Sequence, residues 1–256
     1  MNTSIRRIIG PKRILARLEH EVFNVIGHQD YTPFIVLTRS RTGSNMLISM
    51  LDSHSQVAAD GEVFRTLEGR DVRRVLRRSW GGQRRNIKAK GFKIFYYHPL
   101  DCPDSEIWSV LAGMEDLKVI HLSRRNVLRT IVSRKLAGEI GAWTSKQYAE
   151  IGSPDKASVI LEVGEVREAL EQTAMWEREV SERFSKQDIL HLTYEDIVSS
   201  PEDSSREISE FLGVEYEALS TKLKKQNPER LEVLIENFDQ LKDAFADTES
   251  AIFFDE

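Results

Sequence analysis

Four short apolar runs punctuate the chain, each of strand length and rich in β-branched or aromatic residues: Phe34 to Thr38, Gly91 to Tyr97, Val119 to Leu122 and Ile189 to Thr193. Between them the apolar residues recur at helical spacing. Met46, Leu47, Met50 and Leu51 mark a helix from Ser44 to Ser53, with Ser44 placed to cap it. A basic helical stretch is expected from Val63 to Arg78, broken by Trp80-Gly81-Gly82. Asn126 caps a helix running to Ala137, and Glu165 to Phe184 reads as a long helix. Pro201 opens another that stops at Gly213, and Pro228 begins a last one whose stripe is Leu231, Leu234, Ile235, Phe238 and Leu241.

Strands that alternate with helices predict an α/β fold: a P-loop-like three-layer sandwich, with a central, mostly parallel sheet and helices on both faces. No repeat or linker interrupts the pattern, so residues 1–256 are expected to form one domain. Its parts are an N-terminal helical segment (1–30), a motif-bearing core (34–214) and a C-terminal helix (228–246). Arg65 to Arg85 and Gly138 to Val163 are expected as insertions near a ligand mouth, because functional loops in such sheets lie at the carboxyl ends of strands.

Composition narrows the function. With 256 residues, 40% of them hydrophobic, the chain can bury a substantial core, and a net charge of -5 gives no reason to expect a nucleic-acid partner. The charge is uneven. Arg65 to Lys93 holds eleven basic residues against Glu68 and Asp71, whereas the chain from Glu195 onward holds seventeen acidic and six basic ones. Such a split places an anionic ligand near the basic part. Cys102 is the only cysteine, which excludes an internal disulfide and fits a reducing, cytoplasmic compartment. No run of eighteen apolar residues and no signal-peptide pattern is present. Met1 to His28 combines Arg6, Arg7, Lys12, Arg13 and Arg17 with Ile8, Ile9, Ile14, Leu15, Leu18, Val22 and Phe23. That pattern fits either a peripheral membrane-surface helix or one that covers the core. Oligomeric state is not fixed by the sequence.

Two stretches carry the chemistry. In the first, the strand ending at Thr38 runs into Arg39-Ser40-Arg41-Thr42-Gly43-Ser44-Asn45 and then a helix. A strand-loop-helix of this kind brings backbone N–H groups, a helix N-terminus, two guanidinium groups and hydroxyls to an anion. It lacks the first glycine and the lysine of an ATP-binding loop. In the second, Arg125 and Ser133 stand eight positions apart after the third strand, so that a guanidinium fork and a hydroxyl two turns along the helix can meet one phosphate.

Arginine, seven residues, then serine after a strand resembles the 3'-phosphate signature of sulfotransferases that use 3'-phosphoadenosine-5'-phosphosulfate (PAPS). Arg41-Thr42-Gly43-Ser44 is similar to that family's 5'-phosphosulfate loop. Leu192-Thr193-Tyr194-Glu195-Asp196-Ile197, Pro201 and Phe211-Leu212-Gly213-Val214 resemble its strand, Tyr-Glu-Asp and Phe-Leu-Gly segments. The matches follow the family's order over Phe34 to Val214, and the form Arg-Thr-Gly with Arg124-Arg125-Asn126 is closest to bacterial carbohydrate sulfotransferases of the nodulation-factor type. Two departures are visible. Met46 stands where the cytosolic animal enzymes have an adenine-stacking tryptophan, and no C-terminal Arg-Lys-Gly segment is present.

The resemblance implies transfer of a sulfuryl group from PAPS to a hydroxyl of a carbohydrate or glycolipid, with 3',5'-bisphosphoadenosine (PAP) as product and no metal. Arg39, Arg41, Thr42, Gly43, Ser44, Asn45, Arg125, Ser133 and Tyr194 are the candidate nucleotide-binding residues, and Arg41 would stabilise the leaving group. Glu62 and, second, His98 are candidates for the base, while Lys93 could reach the sulfonate or solvent. Two rivals stand beside this reading: a small-molecule kinase of the same sheet type, and a non-catalytic nucleotide- or glycan-binding protein.

Overall fold

The computed structural model describes residues 27–143, 147, 158–223 and 227–255. Five parallel strands lie in the order β2-β3-β1-β4-β5: β1 (Thr32–Thr38), β2 (Val57–Glu62), β3 (Ala89–Phe95), β4 (Lys118–Ser123) and β5 (Ile189–Thr193). The central strand explains the layering. Ile35 and Leu37 enter one apolar cluster and Phe34 and Val36 the other, the two-residue alternation of a strand buried on both faces.

On the Ile35 face pack α2 (Val72–Ser79), α3 (Ile107–Ala112) and the end of α5 (Val163–Arg183). On the other face lie α1 (Ser44–Leu51) and α7 (Pro201–Leu212), which follows the short α6 (Tyr194–Ser199). A third cluster joins α4 (Val127–Ile140) and the start of α5 to α8 (Leu231–Leu234), α9 (Phe238–Phe245) and the 3-10 turn Glu249–Phe254. The strand order reverses at β1, whose neighbours β3 and β4 lead away in opposite directions. The crevice beyond their carboxyl ends is where such sheets bind ligands.

Several expectations are corrected. The sheet has a fifth strand, β2, which the pattern hid: in Val57–Glu62 only Val57 is fully buried, and a bulge shifts the register between Asp60 and Glu62. The basic helix begins at Val72 rather than Val63, capped by Asp71, whose side chain accepts from the Arg74 N–H. Ahead of it the Asp101 carboxylate accepts from the Leu67 and Glu68 N–H groups at 2.8 and 2.7 Å, a loop clamp in place of a helical turn. The helix from Asn126 runs on to Ile140, and the long one spans Val163–Arg183. Gly43, not Ser44, is the N-cap of α1. The helix expected from Pro228 is split into α8 and α9, because Val159 pairs with the intervening backbone at Leu234 and Glu236. The N-terminal segment to residue 26, and half of the insertion expected between Gly138 and Val163, lie outside the described residues.

Candidate functional site

Beyond the carboxyl ends of β1, β3 and β4 opens a cavity of about 470 Å³. Its first wall is the loop from β1 to α1. The buried Thr42 hydroxyl donates to the Arg39 carbonyl at 2.9 Å, which curls the loop, and Arg41 and Gly43 take positive φ angles of 69° and 95°. A Cβ on Gly43 would stand 2.4 Å from Tyr194 Cδ2, so the ring rests directly on the glycine backbone. The Arg124 guanidinium covers the same ring at 4.6 Å and donates to the Arg41 carbonyl at 3.2 Å. Arg41 in turn donates through Nε to Ser133 Oγ at 2.9 Å and through its terminal nitrogen to the Trp143 carbonyl at 3.0 Å. Loop, Tyr194, Arg124 and Ser133 thus form one connected cradle at the N-terminus of α1.

The opposite wall is built from β2 and β3. Lys93, only 2% exposed, holds Glu62 Oε1 at 3.1 Å and donates to Asn45 Oδ1 at 2.6 Å. Burial lowers the lysine pKa and the Glu62 charge opposes that shift. His98 Nε2 lies 3.9 Å from Glu62 Oε2, while its Nδ1 accepts the Phe95 N–H at 3.3 Å. Burial drives the His98 pKa down to about 4; Glu62 opposes this, and Lys93 and Arg65 reinforce it. Neutral His98 therefore carries its proton on Nε2, the nitrogen that faces Glu62.

Of the residues singled out from sequence, Arg41, Gly43, Ser44, Asn45, Glu62, His98, Ser133 and Tyr194 all line this cavity. Three do not. Arg39 is 5% exposed and turns away to the Thr173 hydroxyl on α5, and Thr42 spends its hydroxyl on the loop. Arg125 is drawn to α6: its N–H donates to Glu195 at 3.0 Å, its guanidinium pairs with Asp196, and its side chain is 62% exposed. The cavity takes Arg124 in its place. Arg124 is not among the binding residues expected from the sequence, where the doubled arginine is the signal that points to it. Arg134 and Trp143 were also missed as lining residues, as was Leu223.

Among the described residues, five cationic side chains line the cavity, Arg41, Arg65, Lys93, Arg124 and Arg134, against one carboxylate, Glu62. Such a balance suits a ligand with several negative charges, placed beside a group able to take a proton.

Residues 105–218 match the family model described as "Sulfotransferase family". Nodulation protein H of Rhizobium tropici is 25% identical over 244 residues, covering 87% of this chain and 93% of its own length. Nodulation protein H of Rhizobium meliloti is 24% identical over 238 residues, covering 87% and 95%. Among solved structures, a sulfotransferase from Alicyclobacillus acidocaldarius aligns over 86% of this chain and 93% of its own at 14% identity, with a TM-score of 0.49.

Proposed function

We propose that this chain is a sulfotransferase that takes its sulfuryl group from PAPS and passes it to a carbohydrate hydroxyl, a reading supported by its similarity to the sulfotransferase family model and to nodulation protein H. The observation that carries this reading is the joined pair of walls: a cationic cradle around Gly43 and Ser133, faced by a lysine-held carboxylate. In this assignment Arg41 and the Gly43–Asn45 turn receive the 5'-phosphosulfate, and Ser133 with Arg124 receives the second phosphate. The fit rests on the surplus of positive charge among the described lining residues and on the turn at Gly43, which brings the N-terminus of α1 to the cavity.

Glu62 is the base. Its side chain is 28% exposed, so an acceptor can reach it, whereas His98 is buried and holds a proton on the nitrogen that faces the site. As the acceptor oxygen bonds to sulfur, its proton passes to Glu62. The bond from sulfur to the phosphate oxygen breaks, and PAP leaves with the electron pair. Arg41 neutralises the charge that develops on that oxygen and, as arginine, acts by charge and hydrogen bonds without giving up a proton. Lys93 positions the carboxylate from below, and its link to Asn45 ties the base to the donor loop.

The test is thermal stabilisation by PAP against ADP. At a hundred times its dissociation constant PAP adds about 2.7 kcal/mol of stability. That corresponds to roughly 5–10 °C for a chain of this size. Arg124→Ala should abolish most of the shift, while Arg125→Ala should keep it and lose only the small contribution of an exposed pair. A melting temperature unmoved by high-micromolar PAP removes the PAPS reading. A larger, magnesium-dependent shift with ADP favours a kinase instead.

A further inference from the structure

The arginine beside the proposed base is held by its backbone and left open at its side chain. The Arg65 N–H donates to the Glu62 carbonyl at 3.4 Å, and the Leu100 N–H donates to the Arg65 carbonyl at 2.9 Å, so the residue is tied both to the turn carrying Glu62 and to the turn after His98. The Asp101 clamp on Leu67 and Glu68 fixes the same loop. Nearby Arg70 is consumed by the fold, donating to the Leu67 and Thr66 carbonyls at 2.7 and 2.6 Å. The Arg65 guanidinium, by contrast, lines the cavity and makes no hydrogen bond or ion pair among the described residues. The one carboxylate that lines the cavity among the described residues, Glu62, is already engaged by Lys93.

Arg65 also lies on the acceptor's side. It is near enough to His98 to disfavour a positive charge there, is bonded through its carbonyl to Leu100, and lines the cavity with the turn after β3 that carries Tyr97 and His98. Arg65 is exposed, and a guanidinium fork set at the cavity with no carboxylate beside it among the described residues is matched by a planar or tetrahedral anion. Leu100, 52% exposed, offers an apolar surface next to it. We infer that the acceptor is an acidic carbohydrate, whose anionic group is bound by Arg65 while a neighbouring hydroxyl meets Glu62. This rests on the PAPS-dependent reading above, and Arg65 would set acceptor specificity rather than hold the donor.

The experiment is calorimetric titration of PAP-saturated protein with three probes: cellotetraose, its C6-carboxylated counterpart, and a 6-O-sulfated tetramer. Wild type should bind the carboxylated tetramer about 10- to 100-fold more tightly than the neutral one, with an advantage that shrinks as salt is raised. Arg65→Ala should erase that advantage, and Arg65→Lys, a point charge without the fork, should restore part of it. An equal gain for the sulfated tetramer identifies any fixed anion as the determinant; a gain confined to the carboxylated one identifies a uronic acid. Equal affinity of wild type for neutral and charged probes, or binding of none up to millimolar concentration, overturns the inference. So does an Arg65→Ala protein that loses its PAP-induced thermal shift, since Arg65 would then belong to the donor site. Absence of that shift in the wild type brings down the donor reading instead, and the two failures are told apart in the same series.

Discussion

Replacing Gly43 by alanine tests the cradle at its tightest point. Two costs act together. The backbone at this position has φ 95° and ψ 9°, where an L side chain pays about 1–2 kcal/mol. The new Cβ would also stand 2.4 Å from Tyr194 Cδ2, so the ring must retreat by about 1 Å to reach ordinary carbon contact. Overpacking of this kind adds about 1–3 kcal/mol. Displacing Tyr194 further disturbs Arg124, whose guanidinium sits 4.6 Å from the ring centre. The expected loss is about 2–5 kcal/mol, or roughly 5–20 °C in melting temperature, together with the PAP-induced shift. Gly213→Ala isolates the backbone cost: φ there is 70°, and a Cβ would meet nothing within 4 Å. It should lose only about 1–2 kcal/mol. The excess at Gly43 should vanish when Tyr194→Ala is combined with it, as a double-mutant cycle would register. If Gly43→Ala costs no more than Gly213→Ala, or if removing Tyr194 brings no relief, the proposed packing of ring on loop is wrong.

Glu62→Gln should keep the PAP-induced thermal shift while kcat falls by about 10²- to 10⁴-fold, measured as PAP release with a saturating acceptor; parallel loss of both would make Glu62 a structural residue. Stability should also decline on the acid side of neutrality. His121, 5% exposed, is bonded to the Tyr96 hydroxyl at 2.6 Å and lies 3.1 Å from His191 Nδ1, and burial first, His191 second, push its pKa down to about 4. The unfolded chain binds this proton more readily than the folded one, so stability is full above pH 6.5 and is lost as pH falls toward 4, by about 3 kcal/mol at most. His121→Gln should flatten that part of the melting-temperature profile, with His98 accounting for much of what remains; an unchanged slope would absolve His121.

Burial on both faces is what made β1, β3 and β4 legible, since each leaves a largely apolar run, whereas β5 shows by alternation, with Leu190 and Leu192 buried on either side of the exposed His191. The run Val57-Ala-Ala-Asp-Gly-Glu has no such signature. It becomes a strand because it pairs with β3 at the sheet edge, a tertiary contact that places Glu62 at the cavity wall. The start of α2 was hidden for a related reason. Residues 63–71 have helical composition, yet the Asp101 carboxylate, more than thirty positions away, takes two of their N–H groups. Local propensity yields there to a bond that no local window contains.

The candidate site divides along the same line. Glycine, hydroxyl and arginine at the end of β1 read as an anion loop because the backbone path itself demands them: Gly43 for its conformation and its contact with Tyr194, Thr42 for the bond that curls the turn. The choice between Arg124 and Arg125 has no such local cause. Neighbouring residues at a strand end diverge to opposite sides, so one of the two must face away. The Tyr-Glu-Asp sequence that opens α6 decides which. Asp196 draws the Arg125 guanidinium outward and Glu195 takes the Arg125 N–H, while Tyr194 gives Arg124 an aromatic face on the cavity side and Glu195 Oε1 lies 3.7 Å from Arg124 Nε. The three residues quoted from sequence as one motif therefore sort the two arginines of another, seventy positions earlier. Asp196→Asn should release the Arg125 guanidinium while leaving Arg124 seated on Tyr194 and beside Glu195.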